Sequence, residues 1–120
     1  LTDQSARVIA GFPKLTRLRL DSDGLTAAGA KAIGGLPELR ELSIFLRSDD
    51  PADAAVGELT NLKKLEWLRL NASRLTEAGV AHLKKLSQLR YLDVEYARLD
   101  QKFNDELKAA LPNCTIKFAK

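Results

Sequence analysis

The sequence predicts an α/β fold built from one strand-and-helix unit repeated along the chain, and three observations predict it. Segments beginning with leucine start at residues 15, 39, 65 and 89, so successive units begin 24, 26 and 24 residues apart. Each front half carries apolar residues at i and i+2, the spacing that puts both on one face of an extended strand. Each back half carries apolar residues at helical spacing, which forms a stripe along one side of a short helix.

In chain order, "LTDQSARVIAGFPK" at 1 to 14 is the back half of a first unit, with Ala6, Ile9 and Phe12 as its helical stripe. The first strand pair is Leu18 and Leu20, followed by the stripe Ala30, Ile33 and Leu36. Leu42 and Ile44 form the second pair. The segment after them, "FLRSDDPADAAVGEL" at 45 to 59, has two extra residues and an Asp-Asp-Pro step. Asp49, Asp50 and Asp53 fit helix-capping acids at a Pro-started helix better than a calcium loop, which needs glycine-turned oxygen spacing. Leu68 and Leu70 lead to Val80, Leu83 and Leu86. Leu92 and Val94 lead to Phe103, Leu107 and Leu111, and Ile116 and Phe118 close the chain as a last strand pair. Thr26, Thr76 and Asp100 stand where N-caps belong, with side-chain oxygens placed to accept from first-turn amides.

The front halves read L-x-x-L-x-L, then polar residues, then a further leucine in most units. This pattern and its period resemble the leucine-rich repeat family over nearly the whole chain. "LTAAGAKAI" and "LTEAGVAHL" look like the short-helix repeats of bacterial arrays, and "LPNCTIKFAK" resembles their closing segment. The resemblance implies a solenoid with a curved parallel sheet on the concave side and short helices on the convex side. It also implies a protein or peptide partner. Residues 1–120 then form one domain of about four full repeats, a partial first unit and a capping strand. Because Leu1 enters in mid-repeat, we expect the chain to be part of something longer. Strand, helix and parallel strand require a crossover, and no unit buries its leucines without a neighbour.

If the leucine pairs face inward, the residues between them face out as a grid. Its first column is Arg17, Glu41, Trp67, Tyr91 and Thr115; its second is Arg19, Ser43, Arg69, Asp93 and Lys117; its third is Asp21, Phe45, Asn71, Glu95 and Ala119. Tyr96 lies just beyond. Tryptophan, tyrosine and arginine dominate interface energetics, so Arg17, Arg19, Glu41, Phe45, Trp67, Arg69, Tyr91, Asp93 and Glu95 are the candidate partner-binding residues. A plainer reading has Trp67 packing on Tyr91 only to stiffen the sheet. Five strands span roughly 19 Å, and about fifteen outward residues fall short of the 20 to 30 in a typical interface side. A small peptide or loop suits that area, unless flanking elements add to it.

Other chemistries lack their residues. His82, the only histidine, lies on the helix side with no serine or cysteine nucleophile in register, so the chain reads as non-catalytic. Cys114, the only cysteine, reads as a small buried hydrophobe and excludes a disulfide framework or a thiolate metal site. No cofactor or metal is expected. The glycines of "GLTAAGAKAIGG" open and close a helix rather than cradle a phosphate. The net charge of +3 is interleaved with acids, and Asp21, Glu41, Asp93 and Glu95 interrupt the basic residues of the grid, which speaks against nucleic acid. No apolar run approaches the roughly 18 to 20 residues of a membrane span. Solubility with a lean to the cytoplasm is the expectation. "NAS" at 71 and "NCT" at 113 fit the glycosylation triplet, relevant only in a eukaryotic secretory setting. The alternative to a binding module is a structural or targeting segment of a larger enzyme or signalling protein.

Overall fold

Alternating leucines give one buried edge per strand, and in a computed structural model describing residues 3–46, 53–71, 75–95 and 101–118 those edges line up. The elements alternate as expected: α1 (Asp3–Ile9), β1 (Arg17–Leu25), α2 (Ala27–Ile33), β2 (Glu41–Leu46), α3 (Asp53–Leu59), β3 (Trp67–Asn71), α4 (Glu77–Leu83), β4 (Tyr91–Glu95), α5 (Gln101–Ala110) and β5 (Thr115–Phe118). The strands form one parallel sheet in the order β1-β2-β3-β4-β5, so every strand lies beside its sequence neighbours. Asp100, Ala119 and Lys120, and residues 47–52 of the irregular segment, including Asp49 and Asp50, lie outside the described residues.

One backbone link recurs at every step. The N–H groups of Arg40 and Glu41 donate to the Thr16 carbonyl at 2.8 and 3.0 Å. Those of Glu66 and Trp67 donate to the Arg40 carbonyl at 2.8 and 3.0 Å, those of Arg90 and Tyr91 to the Glu66 carbonyl at 2.7 and 3.1 Å, and that of Thr115 to Arg90 at 2.9 Å. Each unit therefore enters its strand from the same anchor on the unit before.

The core is the set of inward residues. Leu20, Leu42, Ile44, Leu68, Leu70, Leu92 and Val94 are buried from the sheet side, and Ala30, Ile33, Ala55, Val56, Leu59, Val80, Leu83 and Leu107 from the helix side. Leu18 and Ile116, in the two outermost strands, are only partly buried against this core. Leu36, Leu86 and Leu111 are buried too, but they lie in the turns after α2, α4 and α5 rather than on the helices. The expected stripe thus continues past the helix ends into the turns that lead to the next strand.

Two expectations fail. Phe12 is not core: it follows the end of α1 and is 59% exposed, although its equivalents one and three units later, Leu36 and Leu86, are buried. Ala6, on α1 of the same unit, is buried, so helical spacing alone does not decide which residues of this unit reach the core. Thr26 and Thr76 do occupy N-cap positions in extended conformation, but neither hydroxyl caps its own helix. The Thr76 hydroxyl donates instead to the Asp53 carboxylate, which also accepts from the Thr76 backbone N–H at 2.9 Å. Asp53 stands in the first turn of α3, so it ties the start of one helix to the start of the next.

Glycines let the helices close up. A Cβ on Gly34, after α2, would lie 2.5 Å from the carbonyl oxygen of Glu58 on α3. On Gly57 of α3 it would lie 3.0 Å from the His82 ring of α4, so His82 is a packing residue of the helix layer.

Candidate functional site

With the leucines committed inward, the residues between them stand on the opposite face of the sheet, and the pairing shows which meet. The first column holds through all five strands: Arg17 pairs with Glu41, Glu41 with Trp67, Trp67 with Tyr91 and Tyr91 with Thr115. The second runs Arg19, Ser43, Arg69, Asp93 and Lys117. In the third, Phe45, Asn71 and Glu95 are in register, but Asp21 does not join them, because the β1–β2 register shifts between Leu20 and Leu25. The side chain of Glu95, and Tyr96 entirely, lie outside what is described.

The same residues at the same offset in every strand, joined by the same carbonyl link and backed by a helix in each unit, decide the architecture. The chain folds as a leucine-rich repeat solenoid. No family model matches its sequence, and no curated protein matches it significantly. Among solved structures, a leucine-rich repeat protein of Leptospira interrogans is similar over 92% of this chain, at 16% sequence identity and a TM-score of 0.47. The chain spans 38% of that protein's length.

On the outer face of the solenoid's sheet, neighbouring strands contribute complementary side chains. Trp67 and Tyr91 stack, with ring centroids 5.3 Å apart and planes 6° from parallel. The Lys117 ammonium lies 5.9 Å from the Tyr91 ring centroid, within reach of a cation–π contact. Arg17 Nε lies 3.1 Å from Glu41 Oε2, and Arg69 Nε 3.8 Å from Asp93 Oδ2. The Arg17 pair is open to water and adds little to stability; the Asp93 carboxylate, 15% exposed, is the more sheltered acid. Phe45 is half-buried at the far end of β2.

Ser43 departs from the expectation that every grid residue is open to solvent. It is 3% exposed, and its register partners on the two neighbouring strands, Arg19 and Arg69, both carry longer side chains. It lines a groove of about 470 Å³ together with Arg17, Leu18, Arg19, Glu41, Leu42 and Trp67. The signal was present in the sequence as the smallest side chain in the middle of the grid. A second groove, of about 700 Å³, runs along the edge where the chain enters the strands, lined by Arg40, Lys63, Lys64, Glu66, Gln88 and Arg90 among others. Two of its four cations are paired: Lys64 meets Glu38, outside the lining, at 2.7 Å and Arg40 meets Glu66 at 3.5 Å, whereas Lys63 and Arg90 meet no carboxylate among the described residues. Lys64 holds the Glu38 carboxyl below the usual carboxylate range, through its hydrogen bond and its charge.

Elsewhere the chemistry is sparse. Cys114 packs in part against the core, where loss of water pushes its thiol up, and it donates weakly to the Thr115 carbonyl at 3.6 Å. Among the described residues, no group of three or more histidine, cysteine or acidic side chains could hold a metal ion. No described helix is long and apolar enough to cross a membrane.

Proposed function

We propose that this chain is a non-catalytic interaction module that binds a protein or peptide segment across the outer face of its sheet, centred on Trp67 and Tyr91. The observation that carries the reading is the aromatic stack itself, set on a mostly polar face that also bears Phe45, with arginine–carboxylate pairs in the adjoining strands. A flat aromatic surface rimmed by charge supplies buried apolar area at its centre and directional contacts around it, the anatomy of an interface hot spot. Arg17, Arg19, Glu41, Phe45, Arg69, Asp93 and Glu95 are the rim in this reading. His82 supports the non-catalytic part, since its ring packs on Gly57 in the helix layer.

Affinity capture from the source proteome, with Trp67→Ala and Arg69→Ala beside the wild type, tests the assignment. Loss of the same captured protein with both variants supports it, and undiminished capture by both removes the site from this face. A second reading, that the chain is a structural or targeting segment with an inert face, draws on one observation: Trp67 and Tyr91 stack on each other, and four of the charges are paired. Capture that depends only on residues outside the face would favour it.

A further inference from the structure

We infer that the Ser43 notch is an acid-recognition subsite, which takes the carboxylate of a peptide partner while an apolar or aromatic neighbour of that carboxylate rests against Trp67. The inference depends on the reading that the outer sheet face binds a peptide, and it specifies the chemistry of that peptide.

Three observations point to an acid. First, the cations on the face are unequally engaged. Arg17 is paired with Glu41 and Arg69 with Asp93, whereas Arg19 is exposed and meets no carboxylate among the described residues. Second, Arg19 stands in register with Ser43, and both line the groove. A guanidinium offers only donors and a serine hydroxyl adds one more, while a carboxylate is acceptor-only, so the two present a matched set for one such group. Third, Glu41, the acid on the same wall, has its charge answered by Arg17 at 3.1 Å. An incoming carboxylate therefore meets, at Arg19, a positive charge that no described carboxylate answers.

The indole supplies the second half of the recognition. Tyr91 covers Trp67 from the β4 side, and the indole also lines the notch, toward β2. A residue adjoining the acid can bury itself there while the acid reaches Arg19. A groove of about 470 Å³ holds a couple of side chains rather than a folded domain.

The test uses two short peptides in a glycine and serine background, one carrying a glutamate beside a phenylalanine and the other a glutamine in its place. Each is titrated into isotopically labelled full chain and followed by the amide of Ser43 and the Nε–H of Arg19 in NMR spectra. The same titrations are run on Arg19→Glu and Trp67→Ala. The glutamate peptide is expected to bind the wild type about tenfold more tightly than the glutamine peptide, with the preference abolished in Arg19→Glu. Equal binding of the two peptides to the wild type, absence of binding by both, or a preference that survives Arg19→Glu overturns the inference. If both peptides bind equally and Trp67→Ala weakens both, the notch falls while the reading of the face stands. If the preference depends on Arg19 but binding ignores Trp67→Ala, the acid site stands and the aromatic centre falls. Displacement of the glutamate peptide by a short oligothymidylate at equal concentration would make Arg19 a general anion contact and also overturn the inference.

Discussion

Trp67 and Tyr91 lie on adjacent parallel strands with their rings 5.3 Å apart and within 6° of parallel, so each covers one face of the other. Such a pair is worth about 0.5 to 1.5 kcal/mol beyond the area it buries. Tyr91→Ala is therefore expected to lower stability by at least about that amount, since it also gives up the area the rings bury, and to shift Trp67 fluorescence, since Trp67 is the only tryptophan. Urea unfolding with a Trp67/Tyr91 double-mutant cycle measures the coupling. A coupling energy near zero would show that the rings do not stabilise one another.

Gly34 sits where the turn after α2 meets the backbone of α3. An added methyl would lie 2.5 Å from the Glu58 carbonyl oxygen, which cannot swing aside as a side chain would. Gly34→Ala is expected to destabilise by about 1 to 3 kcal/mol, despite alanine's better helix propensity. Denaturant midpoints for Gly34→Ala and for the exposed Gly35→Ala separate the effect of close approach from that of propensity.

Asp53 bridges two helix starts through Thr76. Removing its carboxylate leaves the Thr76 N–H and hydroxyl without their acceptor, so Asp53→Ala is expected to cost about 1 to 2 kcal/mol. Asp53→Asn, which keeps an acceptor oxygen, should recover part of that loss. Hydrogen exchange at the Thr76 amide reads the bond directly, and unchanged protection in Asp53→Ala would refute the bridge.

Glu38 titrates below an ordinary carboxylate because Lys64 donates to it at 2.7 Å. A depressed folded-state pKa means that the pair's contribution is present above the unfolded-state value and is lost as pH falls through the folded-state one. Carboxyl-carbon NMR should place the Glu38 midpoint on the acid side of normal, and Lys64→Ala should move it back up.

Cys114 behaves in the opposite sense. Partial burial raises its thiol, so the folded chain keeps the proton to higher pH than the unfolded chain does. Stability from this group is complete below the unfolded-state thiol value and declines as pH rises through the folded-state value. Iodoacetamide should alkylate Cys114 more slowly in the folded protein than in urea at mildly alkaline pH. Equal rates would contradict the burial.

Much of the architecture was legible because leucine spacing is a strong signal. Once Leu42 and Ile44 face inward, Glu41 and Phe45 have one place to go, and the register of the first column follows from the period alone. Legibility ended where local pattern does not decide the outcome. Phe12 has the spacing of a core residue, but spacing does not settle burial in a turn: Phe12 is exposed, whereas Ala6 of the same unit is buried. Thr76 has the identity of a cap, but its hydroxyl went to Asp53, a residue 23 positions earlier that the pattern assigned to capping its own helix. Asp21 fell out of its column because β1 and β2 change register after Leu20, which no spacing of leucines announces. Ser43 stood in the sequence as the smallest side chain in the middle of the grid, but its near-complete burial there is a property of the packed sheet.

Gly34 and Gly57 also matter to the opposite side of the molecule. Parallel strands repeat every 4.8 Å or so, whereas packed helices prefer axes about 8 to 10 Å apart, and that mismatch acts as a wedge driven between units from behind. Glycine at the helix contacts thins the wedge and lengthens the radius of the arc, which holds apart the tips of the side chains in front. The distance between Arg19 and Trp67, which a ligand of the proposed site would span, is thereby set in part by residues that such a ligand would not touch.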